Sequence, residues 1–363
     1  MLIIDAHEDI AYNALEWGRD IRQSVQAVRR REQLRMQGDE YLNDIAMSGL
    51  PQLRQGGFGI VFGTIFVEPQ SVSAAEDIKV RYTQSYRNAE EAHRVGKGQL
   101  SYYRELAEEP GVSLILNQGD LKELLMAWEH TREDDADRPF GIVPLMEGAD
   151  PIRTPEEAAE WFAQGVRIVG LAWQGTRYSG GTHAPGPLTP AGKELLREME
   201  RCGLALDISH LAEESFWQAL ELFHGPVIAS HSNCRAFVPT DRHLSDEMIK
   251  ALAERDAVIG MVFANPFIDK NWTRQNRFPI SLDQVVKHID HICQLTGSAR
   301  HIGIGTDIDG GFGREETPAE LDTVADTIKL AEALRKAGYK EEDVIGIMSG
   351  NWQRFLERAL PLQ

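Results

Sequence analysis

Short apolar runs punctuate the chain, and the segments between them carry apolar residues at the spacing of amphipathic helices. Two runs, 204–210 and 227–231, each end in a histidine, and a helix-spaced segment at 213–223 separates them. A strand, helix, strand unit sets two parallel strands side by side with their carboxyl ends together, so His210 and His231 converge. Other runs end in groups of the same kind: 2–6 leads into His7, Glu8 and Asp9, 141–146 into Glu147, and 301–306 into Asp307. The remaining strands are read at 58–66, 167–173 and 257–263, with a minor one at 112–116. Run 58–66 lacks polar alternation, as a strand covered on both faces does.

Strands alternating with helices predict an α/β architecture, and the eight main strands predict a closed (β/α)8 TIM-type barrel. An open doubly wound sheet is disfavoured, because ligand-type residues end the first and last strands alike and only closure brings those together. The expectation is one domain over 1–363, with helical insertions near 19–53 and 70–138 and a site at the carboxyl-terminal mouth.

Composition narrows the partners. A net charge of −18 argues against a nucleic-acid partner, which needs a basic face. The run Arg29, Arg30, Arg31 reads as a solvated helix face. Cys202, Cys234 and Cys293 have no CxxC spacing, so neither a disulfide framework nor a thiolate metal site is indicated. The amino terminus has no basic region or long apolar segment, and no later run reaches the ~18 residues of a membrane span. A cytoplasmic location without a membrane partner is expected, and assembly into a homo-oligomer is left open.

The chemistry lies at the strand ends. His7 and Asp9 stand two residues apart, so an extended segment points them to one side. Glu147 ends an apolar strand, where a carboxylate is costly unless bound to a metal or paired, for instance with Arg167. His7, Asp9, Glu147, His210 and His231 suffice for two divalent ions if one carboxylate bridges. Nitrogen and oxygen donors without thiolates suit zinc, with manganese, cobalt or iron as alternatives. Asp307 fits a general base that takes a proton from metal-bound water and returns it to a leaving amine. Arg235, four residues beyond His231, could hold a carboxylate or a developing oxyanion, or form a loop salt bridge. His288 and His291 read as a solvated helix face, and His183 as a residue that could approach substrate.

These residues carry a resemblance. The segments Asp5-Ala6-His7-Glu8-Asp9, Glu147-Gly148, Asp207-Ile208-Ser209-His210, Ser230-His231-Ser232-Asn233-Cys234-Arg235, Gly305-Thr306-Asp307 and Gly350-Asn351 resemble the membrane (renal) dipeptidase family of zinc metallopeptidases, within the amidohydrolase-like hydrolases. The resemblance implies two zinc ions bridged by Glu147, one completed by His7 and Asp9 and the other held by His210 and His231. It also implies Asp307 as the proton-transfer residue, Arg235 as a substrate-binding group, and dipeptide substrates, often with a D-residue at the carboxyl end. The chain departs after strand four, where mammalian members have a substrate-contacting histidine and this sequence has Trp173 and Gln174. Trp173 is the expected replacement donor. The expected function is dipeptide hydrolysis by attack of zinc-bound hydroxide. A related hydrolase of another small amide or a lactone, and a non-catalytic metal-binding barrel, are the alternatives.

Overall fold

A computed structural model describes residues 1–36, 45–70, 83–132 and 135–363. Eight parallel strands make the barrel: β1 (Ile3–Glu8), β2 (Phe58–Phe66), β3 (Phe140–Glu147), β4 (Ile168–Gly170), β5 (Ala205–Asp207), β6 (Val227–Ile228), β7 (Ile259–Met261) and β8 (Ile302–Ile304). They pair in the order β7-β8-β1-β2-β3-β4-β5-β6. A parallel bridge between Ala229 and Ile259 joins β6 to β7 and brings the ring round. The extra strand Val112–Leu114 pairs with the start of β3.

Strands covered on both faces build two apolar layers. Ile60, Phe62, Val143 and Leu145 lie in one buried cluster, while Val61, Ile142 and Met146 lie in another. The first fills the barrel, where Phe62 meets Trp352 and Phe355 at ring-centroid distances of 5.3 and 6.5 Å. The helix Asn351–Ala359 thus plugs the amino-terminal end. The same parity carries Thr64, Phe66 and Glu147 inward at the opposite, carboxyl-terminal mouth.

Helix boundaries follow local chemistry. In Pro190–Cys202 the Thr189 hydroxyl accepts from the Gly192 N–H at 3.0 Å, proline takes the first position, and Gly203 ends the helix at φ 85°.

The segments expected as insertions contain the helices Val25–Met36, Leu50–Gly56, Ala89–Leu106 and Gln118–His130. Three of these build the domain itself. Leu50, Leu53, Tyr103 and Leu106 belong to the outer core, and Leu121 and Leu124 to the inner one. Residues 37–44, 71–82 and 133–134 of those segments lie outside the described residues. The arginine run is not simply solvated: Arg29 Nε donates to the Ala46 carbonyl at 2.7 Å and its guanidinium pairs with Asp322 at 3.1 Å. Among the described residues no helix is long and apolar enough to cross a membrane.

Candidate metal centre

The ends of β1, β3, β5, β6 and β8 bring side chains into one buried cluster. Glu147 is its hub, because its two oxygens face different imidazoles. Oε1 lies 3.1 Å from His210 Nε2 and 3.4 Å from His231 Nε2, whereas Oε2 lies 3.4 Å from His7 Nε2. His7 Nε2 is also 4.0 Å from Asp9 Oδ1 and 3.8 Å from Asp307 Oδ1. Two compact triads result, His7/Glu147/His231 and His7/Asp9/Asp307, each with donor atoms within 4.8 Å of one another. His210 and Asp307 hold φ values of 64° and 59°. A left-handed backbone is uncommon for residues with side chains and persists where the surroundings enforce it.

A hydrogen-bonded layer beneath the cluster orients the imidazoles. The Ser230 hydroxyl donates to Asp207 Oδ2 at 2.5 Å, so it accepts from His231 Nδ1–H at 2.7 Å and from His7 Nδ1–H at 3.3 Å. Both Nε2 atoms are thereby turned to the cluster. The Thr182 hydroxyl lies 3.0 Å from His210 Nδ1, and the Thr64 hydroxyl donates to Asp9 Oδ1. Asp207 Oδ1 accepts from the Ser209 and Ser230 N–H groups, as Asp5 Oδ1 accepts from those of His7 and Thr306. This supporting layer was not read from the sequence. Its signal was an aspartate near the end of two runs, Asp5 two residues before His7 and Asp207 three before His210.

The electrostatics suit a bound cation. Burial alone would lower His7, but the carboxylates of Glu147, Asp9 and Asp307 outweigh it and raise the imidazole to about 10. Burial lowers His210 to about 4 and holds His231 well below the usual imidazole range, with Arg242 contributing to both. Burial also pushes Asp9 up to about 6 and Asp307 well above the carboxylate range, and crowding by neighbouring carboxylates adds to both shifts. A divalent ion would relieve that crowding. The donors fit such an ion: His7 Nε2 is buried and makes no hydrogen bond. Two nitrogens each about 2.0–2.1 Å from one zinc can also stand as far apart as the Nε2 atoms of His210 and His231, 2.9 Å here.

A cavity of about 370 Å³ opens over the cluster, lined in part by Asp9, Glu147, Trp173, His210, His231 and Asp307. Gln174 does not line it. Arg235 also stands apart from it: its guanidinium binds the Glu213 carboxylate at 2.5 Å and the His243 carbonyl at 3.0 Å. Those bonds fix the Arg235 side chain away from the cluster, contrary to the expectation of a substrate-binding group. Arg242 is the nearer guanidinium. It is 5% exposed, donates to the His231 carbonyl at 2.7 Å, and leaves Nε without a partner. Arg167 spends its donors on backbone carbonyls and leaves Glu147 to the histidines. His183 is exposed near Asp241 and away from the cavity. His288, expected on a solvated face, is buried between the Cys234 N–H and the Ile268 carbonyl.

A model of the membrane dipeptidase family, peptidase family M19, matches residues 1–361. The chain belongs to this family. An uncharacterized dipeptidase of Schizosaccharomyces pombe is 28% identical over 332 residues, covering 88% of this chain and 76% of that protein. A metallopeptidase from Rhodobacter sphaeroides, solved with a phosphinate mimic of the dipeptide L-Ala-D-Ala, superposes with a TM-score of 0.76 at 24% identity over 99% of both chains. The probable dipeptidase PvdM of Pseudomonas aeruginosa gives 0.78 at 18% identity, over 99% of this chain and 95% of that one. At such identities the structural likeness is one of fold. Membership makes this dipeptidase-family chain a metallopeptidase, and its reaction is the hydrolysis of dipeptides.

Proposed function

We propose that the chain cleaves dipeptides with two divalent ions, zinc by donor chemistry, held by His7 and Asp9 on one side and His210 and His231 on the other, with Glu147 shared. The observation that carries this reading is the division of Glu147, whose Oε1 serves His210 and His231 while Oε2 serves His7. Bound divalent ions supply Lewis acidity toward the peptide carbonyl and a water acidic enough to react near neutral pH.

The protein's own groups supply the rest. Asp307, across the mouth from Glu147, takes the proton of the attacking water and passes it to the leaving amine. Arg242 replaces Arg235 as the anchor for the substrate carboxylate, a role supported by its burial and the partnerless Nε. Trp173 lines the cavity 6.4 Å from the His210 ring, which supports an indole N–H donor to the substrate carbonyl oxygen.

Metal analysis combined with a screen of L,L- and L,D-dipeptides, N-acylated amino acids and lactones tests the proposal. The expected result is up to two ions per chain and cleavage of free dipeptides that a chelator abolishes. Full turnover by metal-free protein would refute it. Activity confined to blocked amides or lactones would move the chain to a related amidohydrolase reaction.

A further inference from the structure

The residue that carries the proton is not held by its own side chain. Among the described residues no donor bonds the Asp307 carboxylate, and its one ion pair is with His7 at 3.8 Å. Its aim is therefore set by the backbone of the turn after β8. Asp307 and Asp309 both take left-handed φ values there, 59° and 64°, with one residue between them. Such a backbone persists only where its surroundings over-determine it. Gly310 serves the same placement, because a Cβ at that position would lie 2.0 Å from Asp307 Oδ1.

The bonds that hold this turn converge on Asp309. Its buried carboxylate accepts from the Met47 N–H at 3.0 Å on each oxygen and from the Ser48 N–H at 2.8 Å. The donors are fixed in their turn: the Met47 carbonyl accepts from the Val324 N–H at 3.0 Å, and the Ala46 carbonyl from Arg29 Nε at 2.7 Å. The Asp309 carbonyl accepts from the Asn13 side-chain amide at 3.0 Å. That same amide donates to the carbonyl of Asp9 at 3.1 Å, so the turn after β8 is tied to the segment after β1 as well. Asp307 and Gly310 line the cavity, whereas Asp309 does not. Asp309 thus reaches the reaction through the turn rather than by contact with substrate.

We propose that Asp309 is a positioning residue for proton transfer, pinning its left-handed turn to the Met47 and Ser48 amides so that the Asp307 carboxylate is aimed into the metal centre. The inference rests on the dipeptidase reading above. The test is a double-mutant cycle of Asp309→Asn and Asp307→Asn in metal-loaded full-length protein, with kcat, KM and bound metal measured on the best-cleaved dipeptide of the screen above. Asparagine tolerates positive φ as aspartate does, so the change keeps the backbone preference while setting an amide NH2 against an N–H. Asp309→Asn is expected to lower kcat ~10–100-fold, the scale of a misplaced catalytic group, with KM and bound metal near wild type. Added to Asp307→Asn it is expected to cost no more than about twofold further, because the group it aims is already gone. Should Asp309→Asn not fold, Asp309→Gly, which takes left-handed φ freely but lacks the clamp, runs the same cycle with the same expectation. Equal losses in the two backgrounds, an unchanged kcat, or a kcat that falls only in step with bound metal would each overturn the inference and leave the dipeptidase reading intact. No cleavage of any dipeptide by metal-loaded wild type would overturn both.

Discussion

The Ser230 hydroxyl has one proton to give and gives it to Asp207, so the imidazoles of His231 and His7 must donate to it. One side chain therefore sets the tautomer of a ligand in each half of the centre. Ser230→Ala removes that orientation without touching a ligand, and the expected result is ~10–100-fold weaker metal binding in chelator competition. Unchanged affinity would mean that packing alone holds the rings. The two arginines of the β6 loop are distinguished by the same logic. Arg242→Gln is expected to raise KM for dipeptides and lower kcat/KM ~10–100-fold, the scale of a lost charged hydrogen bond. Arg235→Gln should change kcat/KM little, because its partners are Glu213 and a backbone carbonyl. The family resemblance pointed to the nearer residue, and only the path of the loop buries the farther one.

At the scale of elements, β6, β7 and β8 meet so closely that two glycines are required. A Cβ on Gly260 or Gly305 would lie 1.9 or 1.8 Å from the Ser230 carbonyl oxygen. Gly305→Ala is expected to destabilise the protein beyond the ~1–3 kcal/mol of ordinary overpacking and to lower metal content, since Ser230 must move. Gly98→Ala is the contrasting case: it lies within the helix Ala89–Leu106 with open space around it. That change is expected to stabilise by ~0.4–1 kcal/mol in thermal melts, chiefly by restricting the unfolded chain. Strand β2 was legible to the residue, because its apolar run is buried on both faces throughout its length. The last five strands were read too long. Their apolar runs continue past the hydrogen-bonded ladder into the turns that carry His210, His231 and Asp307, and periodicity does not mark where pairing stops.

Over the whole molecule, carboxylates from β1, β3 and the turn after β8 surround His7 and raise it to about 10. At pH 7 the metal-free site therefore retains a proton that an ion must displace. Metal titration calorimetry in buffers of different ionisation heat is expected to show net proton release at pH 7, with apparent affinity rising as pH climbs from 6.5 toward about 10. Binding without proton release would show that the His7 environment differs from this one. The sequence by itself determined the parallel barrel and the kinds of donor at its mouth, since strand and helix periodicity is local and each ligand type ends its own run. It also marked Glu147 as a carboxylate needing a cation. Only the tertiary structure decided which arginine lies under the centre, how Glu147 divides its oxygens, and that Ser230 orients two imidazoles. Those relations join residues far apart in the chain, and their distances and charges exist only once the barrel has closed and excluded water.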